Sequence, residues 1–408
     1  MSMKQVQYAL PEAWCWKYLD DVSEKITDGT HHSPKVQHSE WEPGRFKYIT
    51  SKNIKNNGMK LDDISYIDQD IHDEIYARCA PELEDQLLTK DGAMTGTCCL
   101  NELDEPFSLL SSVALIKQNR SLILPKYLNY YLQSHVGQSF LLGDISGAAI
   151  TRTNIKKLKS TPVPLAPYSE QKHIVEKLDA LLTRIDTAIK HLQESVTLAD
   201  ALLKSSLSSM LTKQEHWDKV RLNDVCQITS KLCDPREEEY LDMFHIGGAN
   251  ITSFSGELIG LKTAREEKLI SGKFPFDNSM VLYSKIRPYL MKVARPSISG
   301  ICSADIYPLK PDNQKMNRDF LFYLLLSDLF TQYAIEGSSR AGMPKVNRNH
   351  LFNFEFFLPP IDEQKSICES LDALVEKTNE VSKELTDKLS YLAGLKASIL
   401  DSAFKGEL

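Results

Sequence analysis

The sequence predicts an α+β protein: two α/β blocks separated by two long helices that form an antiparallel coiled coil, within a pseudo-twofold internal repeat. Three observations predict it. A segment in the middle of the chain recurs near its end. Each copy opens a long heptad-patterned stretch without proline. Short apolar runs broken by turn signals fill the blocks between.

Residues 165–182 (LAPYSEQKHIVEKLDALL) and 358–375 (LPPIDEQKSICESLDALV) agree at more than half of their positions, at a constant offset of 193. The repeat extends outward. Trp14, Leu19, Asp21 and Val22 match Trp217, Leu222, Asp224 and Val225 in spacing, and Tyr127–Ser134 matches Phe320–Ser327. Phe46–Ile54 resembles Phe244–Ile251, with a shared closing Asn-Ile. The division that follows is a first block (1–164), a helix (165–213), a second block (214–357) and a C-terminal helix (358–408).

In the blocks, Phe46–Thr50, Ser111–Lys117, Met280–Ser284 and Asp305–Leu309 read as strands. Asn57-Gly58, Asp91-Gly92, Gly247-Gly248 and Ser299-Gly300 read as turns, and Tyr127–Gln133 and Phe320–Ser327 as helices. The long helices follow Pro167 and Pro360. Ser169 and Asp362 are expected as N-caps, with Glu170 and Glu363 in the first turn. The first apolar seam is Ile174, Leu178, Leu181, Ile185, Leu192 and Leu202. The second is Ile367, Leu371, Leu374, Val381, Leu385, Leu392, Leu395 and Ile399. This spacing of about 3.5 residues is a coiled-coil pattern. Both seams falter at equivalent places, Ser195 and Lys388, where Val196 and Leu389 are expected to take over.

Composition limits the function classes. The net charge is −7 over 408 residues, which does not favour a strongly basic nucleic-acid binder. The acidity is uneven: residues 361–408 hold 6 basic and 10 acidic side chains. No apolar run is long enough to cross a bilayer, and Met1–Tyr8 has no signal-peptide core, so a cytoplasmic protein without a membrane partner is expected. Eight cysteines without a C-x-x-C pair fit reduced thiols. His31, His32 and His38 lack accompanying cysteine or acidic ligand spacing, so no metal site is expected. No P-loop, dinucleotide-binding glycine motif, methyltransferase tetrapeptide or nuclease cluster is present, so no catalytic residue is assigned.

Polar loops supply the candidate binding residues. In the first block they are Asp28, Thr30, His31, His32, Lys35, Lys52, Asn53, Lys55, Arg152, Asn154 and Lys156. In the second they are Lys285, Arg287, Ser339, Arg340, Lys345 and Arg348. Such side chains hold phosphates and read base edges.

The twice-occurring Pro-x-x-Glu-Gln-x-x-Ile followed by Leu-Asp-Ala-Leu (Pro167–Leu181, Pro360–Leu374), the Trp-to-Asp-Val openings and the Thr27–His31 segment resemble the specificity subunit of type I restriction–modification enzymes over essentially the whole chain. The second block lacks the Asp-Gly-Thr-His segment. The resemblance implies a non-catalytic subunit whose two target recognition domains read a split site in double-stranded DNA, with the helices as spacer. It implies two methyltransferase subunits docked near the helix starts, with Glu170, Gln171, Glu363 and Gln364 as candidate contacts. Restriction–translocase subunits would join them. It also implies no cofactor in this chain, with S-adenosylmethionine, ATP and Mg bound by the partners. Two other readings remain compatible: the specificity subunit of another split-site restriction system, and a coiled-coil scaffold that binds proteins only.

Overall fold

A computed structural model describes residues 8–143, 152–338 and 344–408. It divides into two compact units, Met1–Leu192 with Asp387–Leu408, and Gln193–Thr386. Each unit therefore takes one block, part of the long helix that follows that block, and part of the other long helix.

The first block runs β1 (Cys15–Tyr18), β2 (Ser23–Asp28), β3 (Arg45–Ile49), β4 (Ser65–Asp68), α1 (Gln69–Arg78), β5 (Gln86–Thr89), β6 (Cys98–Leu100), β7 (Ser108–Leu109), β8 (Val113–Gln118), α2 (Pro125–Gln133), α3 (His135–Leu142), α4 (Ile155–Lys159) and β9 (Pro162–Leu165), before α5 (Tyr168–Met210). Strand β1 pairs antiparallel with β9, a clasp joining the two ends of the block. An antiparallel sheet has the order β2-β8-β5-β6. A mixed sheet has the order β4-β3-β7, with β3 and β7 parallel. Val113–Ile116 are fully buried, as expected of a central strand covered on both faces.

The second block repeats this plan: β10 (Asp218–Arg221), α6 (Leu222–Val225), β11 (Cys226–Gln227), β12 (Phe244–Ile246), β13 (Lys262–Thr263), β14 (Lys273–Phe276), β15 (Val281–Ser284), β16 (Val293–Ala294), β17 (Gly300–Ser303), β18 (Ile306–Pro311), α7 (Arg318–Leu326), α8 (Asp328–Glu336), α9 (Arg348–Phe352) and β19 (Glu355–Leu358), before α10 (Ile361–Lys405). The clasp is β10 with β19, the antiparallel sheet is β11-β18-β15-β16, and the mixed sheet is β13-β12-β17-β14 with β12 and β17 parallel.

The shared sequence markers are shared bonds. The Trp14 indole donates to Glu170 at 2.6 Å and the Trp217 indole to Glu363 at 3.1 Å. Asp179 accepts from the Tyr130 hydroxyl at 2.5 Å and Asp372 from Tyr323 at 2.6 Å. Ser134 and Ser327 each cap a helix through their hydroxyl. The closing Asn of FKYITSKNI and FHIGGANI stitches a turn: Asn53 accepts from the Thr50 amide and donates to two carbonyls, and Asn250 does the same with Gly247.

Two expectations about the long helices are corrected. Both begin one residue before the expected caps, at Tyr168 and Ile361. The backbone carbonyls of Pro167 and Pro360 accept the first helical bonds, from Gln171 and Gln364, so Ser169 and Asp362 lie inside the first turn. The second correction concerns the seam. Ile174, Leu178, Ile185, Leu371 and Leu385 are buried, and Leu181, Leu192, Ile367, Leu374, Leu392 and Ile399 are half-buried. Leu202, Val381 and Leu395 are 57%, 41% and 36% exposed. Beyond Ile185 and Thr378 the inward positions are Ile189, Leu192, Val196, Ala199, Leu203 and Leu207, and Ser382, Leu385, Leu389, Leu392 and Lys396. Every second seam position has moved from i+3 to i+4 while the alternate ones stay, rotating the apolar stripe by about half a residue, roughly 50°. Val196 and Leu389 do stand where Ser195 and Lys388 falter.

Within the first unit, Asp186 of α5 pairs with Lys396 of α10 at 2.7 Å, and Phe404 lies edge-on to Tyr127 and Tyr131. Within the second, Leu207 of α5 shares a core with Cys368 and Leu371 of α10. The pairing is antiparallel within each unit.

Candidate nucleic-acid interface

In the first unit the register brings several loops to one end of the antiparallel sheet. Val113 and Ala114 begin β8 opposite Thr89 and Asp28, the last residues of β5 and β2. The loops after β2 and β5 and the one before β8 therefore emerge together. Backbone bonds tie them: Ser111 to Thr30 at 2.8 Å, Lys90 to Ser112 at 2.8 Å, and Thr153 to Lys90 at 2.9 Å. Gly29 is required here because a Cβ would lie 1.8 Å from the Leu109 carbonyl oxygen.

Asp28 and Asn53 are corrected as contact residues. Asp28 is 4% exposed and holds Lys90 at 3.3 Å and Arg78 at 2.7 Å. Asn53 is 1% exposed, its amide used in the turn described above. A buried polar group already satisfied in this way serves the loop's shape. Asn154 is exposed but spends its oxygen on the Lys157 amide as the N-cap of α4. Asn347 does the same for α9 in the second block.

The exposed set is His31, His32, Lys35, Lys52, Arg152 and Lys156, with Thr30 and Lys55 half-buried. Arg152 is 72% exposed and pairs with Asp91 at 2.6 Å, and Lys52 pairs with Asp63 at 3.0 Å. Arg152 and Lys52 thus carry their own carboxylates, which lowers the net charge of a cation-bearing rim.

In the second unit the corresponding end is where β15 finishes and β18 begins, with Ser284 opposite Ile306. Asp305 lies between Lys285 and Lys345, at 3.4 and 3.1 Å. Burial pulls its carboxyl upward, but the two ammonium groups outweigh burial and hold its pKa below the ordinary value. Lys285 also lies over the Tyr307 ring. The Arg287 amide donates to the Pro344 carbonyl, and the Lys292 ammonium donates to Gly248 at 2.5 Å. Arg348 sits apart, reaching the Ile228 carbonyl at 3.4 Å beside a polar cavity of about 360 Å³ lined by Asn223, Gln227, Asn349 and Asn353. Ser339 and Arg340 lie outside the described residues.

Sequence reasoning missed Lys90, Asp91, Lys292 and Asp305. Asp91-Gly92 was visible only as a turn. Lys90 and Asp91 occupy the place of Lys285 and Ile286: Thr153 and Val346 bond to the Lys90 and Lys285 carbonyls, and Arg152 and Lys345 bridge Asp91 and Ile286.

Gln171 and Gln364 are corrected as docking contacts. Both are fully buried. Gln171 accepts from the Leu124 amide and donates to the Leu122 and Ala166 carbonyls, and Gln364 repeats this with Asn317, Lys315 and Pro359. They fasten each helix start to its block. Glu170 and Glu363 keep surface exposure beside their tryptophans.

Comparison with known proteins follows the same duplicated plan. A family model described as the type I restriction modification DNA specificity domain matches residues 11–198 and again 214–391. The EcoDI specificity subunit of Escherichia coli is 29% identical over 352 residues, spanning 73% of this chain and 78% of that protein. The StySPI specificity subunit of Salmonella potsdam is 21% identical across 98% of this chain and 90% of that one. A solved chain from a study of complex assembly and conformational transition in a type I R-M system superposes with a TM-score of 0.73 at 19% identity, covering 98% of this chain and all of that one. The HsdS subunit of Thermoanaerobacter tengcongensis gives 0.54 at 19%, with full coverage of both.

Proposed function

This chain belongs to the type I restriction modification DNA specificity family, and from that premise we propose how its two blocks divide the work of a type I specificity subunit. Each block reads one half of a split site in double-stranded DNA, and α5 and α10 set the gap between the halves. The observation that carries this is the duplication of the anchoring bonds. Trp–Glu, Tyr–Asp and the buried glutamine recur at equivalent positions, while the loop residues differ. Two identically mounted readers with different loops suit two different half-sites.

The chain itself supplies no chemistry in this reading. Methyltransferase subunits holding S-adenosylmethionine would modify adenine, and restriction–translocase subunits would use ATP and Mg. They dock at exposed surface near the helix starts, with Glu170 and Glu363 as contacts. The setting is the cytoplasm; among the described residues no helix is long and apolar enough to cross a membrane.

The rims act by competition. Phosphates displace Asp91, Asp63 and Asp305 from their cations, and neutral polar groups meet base edges.

Methylation sequencing of cells carrying the complete system tests the reading. A bipartite motif is expected, and exchanging residues 1–160 for a relative's block alters one half only. An uninterrupted motif, or a change in both halves, refutes it. Removing seven residues within 174–210 changes the gap or abolishes assembly without changing the letters of either half.

A further inference from the structure

The β15–β16 hairpin of the second unit has an unusual tip. Arg287 and Met291 hold φ of +52° and +49°, the left-handed region that side-chain-bearing residues avoid. Non-glycine residues persist there only when their surroundings over-determine them, and here they do. The Arg287 amide donates to Pro344, and the Leu290 and Met291 amides close the tip on Arg287 and Pro288. The Met291 carbonyl accepts from Phe254, and the Met291 side chain packs on the core. Pro288 is buried. Out of this pinned turn Tyr289 emerges 52% exposed. Lys285 and Lys345 on its flanks share the carboxylate of Asp305, and Arg287 stands at the base of the turn.

The β5–β6 hairpin of the first unit makes the same turn by another route. Gly92 and Gly96 stand at the equivalent bends, with φ of +97° and +94°. The Thr95 hydroxyl donates to the Gly92 carbonyl at 2.6 Å, and Gln138 donates to Gly96 at 2.9 Å. The residue left outward is Met94, 46% exposed, on the turn that follows Asp91, whose carboxylate is held by the exposed Arg152; Lys90 is buried against Asp28. Two blocks with different loops thus each fix one large, exposed side chain at a pinned hairpin tip, with exposed cations at the same end of the block.

We propose that these apices are the apolar readers of the duplex, Tyr289 for one half-site and Met94 for the other, each placed against base faces or thymine methyl groups while the flanking cations hold phosphates. Apolar side chains at base steps and methyl groups discriminate sequence in this way. A rigid mount adds to discrimination because little backbone ordering entropy is lost on binding. The inference rests on the reading of the chain as a DNA-specificity subunit.

The test uses the complex with its methyltransferase subunits, measuring affinity for the cognate duplex and for duplexes altered at each half-site base pair. Tyr289→Ser should weaken cognate binding about tenfold or more and flatten discrimination at one or two adjacent pairs of one half-site. The other half-site should be untouched, and Tyr289→Phe should retain most of the parent behaviour. Met94→Ser should act on the opposite half-site. Because both side chains are exposed, the variants should melt with the parent. Parent-like discrimination in Tyr289→Ser and Met94→Ser overturns the proposal while leaving the DNA-specificity reading intact. So does a loss of methyltransferase association without altered discrimination, which would make the tips protein contacts. A parent complex with no sequence preference defeats the DNA-specificity reading itself.

Discussion

Replacing Gln171 by leucine separates anchoring from docking. The side chain is fully buried and makes three bonds, from the Leu124 amide and to the Leu122 and Ala166 carbonyls. Leucine fills nearly the same volume but leaves one amide and two carbonyls without partners. Each costs about 1–2 kcal/mol when buried. The removal of a buried amide returns part of this, so the net loss is about 2–4 kcal/mol. With a denaturant slope of roughly 2 kcal/mol per molar urea, the midpoint of the affected transition should fall by about 1–2 M. Gln364→Leu should give a loss of similar size. Below the transition, both folded variants should still bind the methyltransferase subunits, because neither amide reaches the surface. A midpoint shift under about 0.3 M would refute the anchoring argument. Full stability with lost association would restore the glutamines as contacts.

Lys90→Met should destabilise the first unit by about 2–4 kcal/mol, since it takes the buried ammonium from the Asp28 carboxylate and leaves it with the more exposed Arg78 and His31. Adding Asp28→Leu should recover part of the loss, and a double-mutant cycle in urea measures the coupling. Phe404→Ala removes a buried ring from between Tyr127 and Tyr131 and should cost about 3–5 kcal/mol in the same assay. Thiol labelling of the native chain at neutral pH should mark Cys15, which is exposed. Burial pushes Cys99, Cys226 and Cys368 up to about 12 and Cys98 and Cys302 higher still, so these should label only on unfolding, as read by peptide mass spectrometry.

Periodicity and duplication made the architecture legible because both arise from burial. A stripe of Ile and Leu in a proline-free stretch has one way to leave water, and a repeated motif repeats its packing. The seam was legible only in part. Leu202, Val381 and Leu395 fit a strict heptad as well as their neighbours do, and the rotation becomes visible only where Ile189, Val196 and Leu389 turn inward. The candidate interface was less legible because asparagine, aspartate and glutamine look alike in sequence whether they meet a ligand or the protein's own backbone. Asp28, Asn53, Gln171 and Gln364 turned out to be inside. Tyr289 and Met94 carried no sequence signal, being single large residues whose exposure is set by bends at positions 287, 291, 92 and 96.

The clasps at β1 with β9 and β10 with β19 have a bearing on how such a chain can change. Everything that reads leaves and re-enters through two neighbouring strands, so each block is topologically one long excursion from a fixed doorway. Its interior can diverge, or be exchanged whole by recombination, while the doorway's ladder of backbone bonds, indifferent to side-chain identity, holds the helix behind it in place. Novelty in one reader then need not disturb the other or the machinery that both serve.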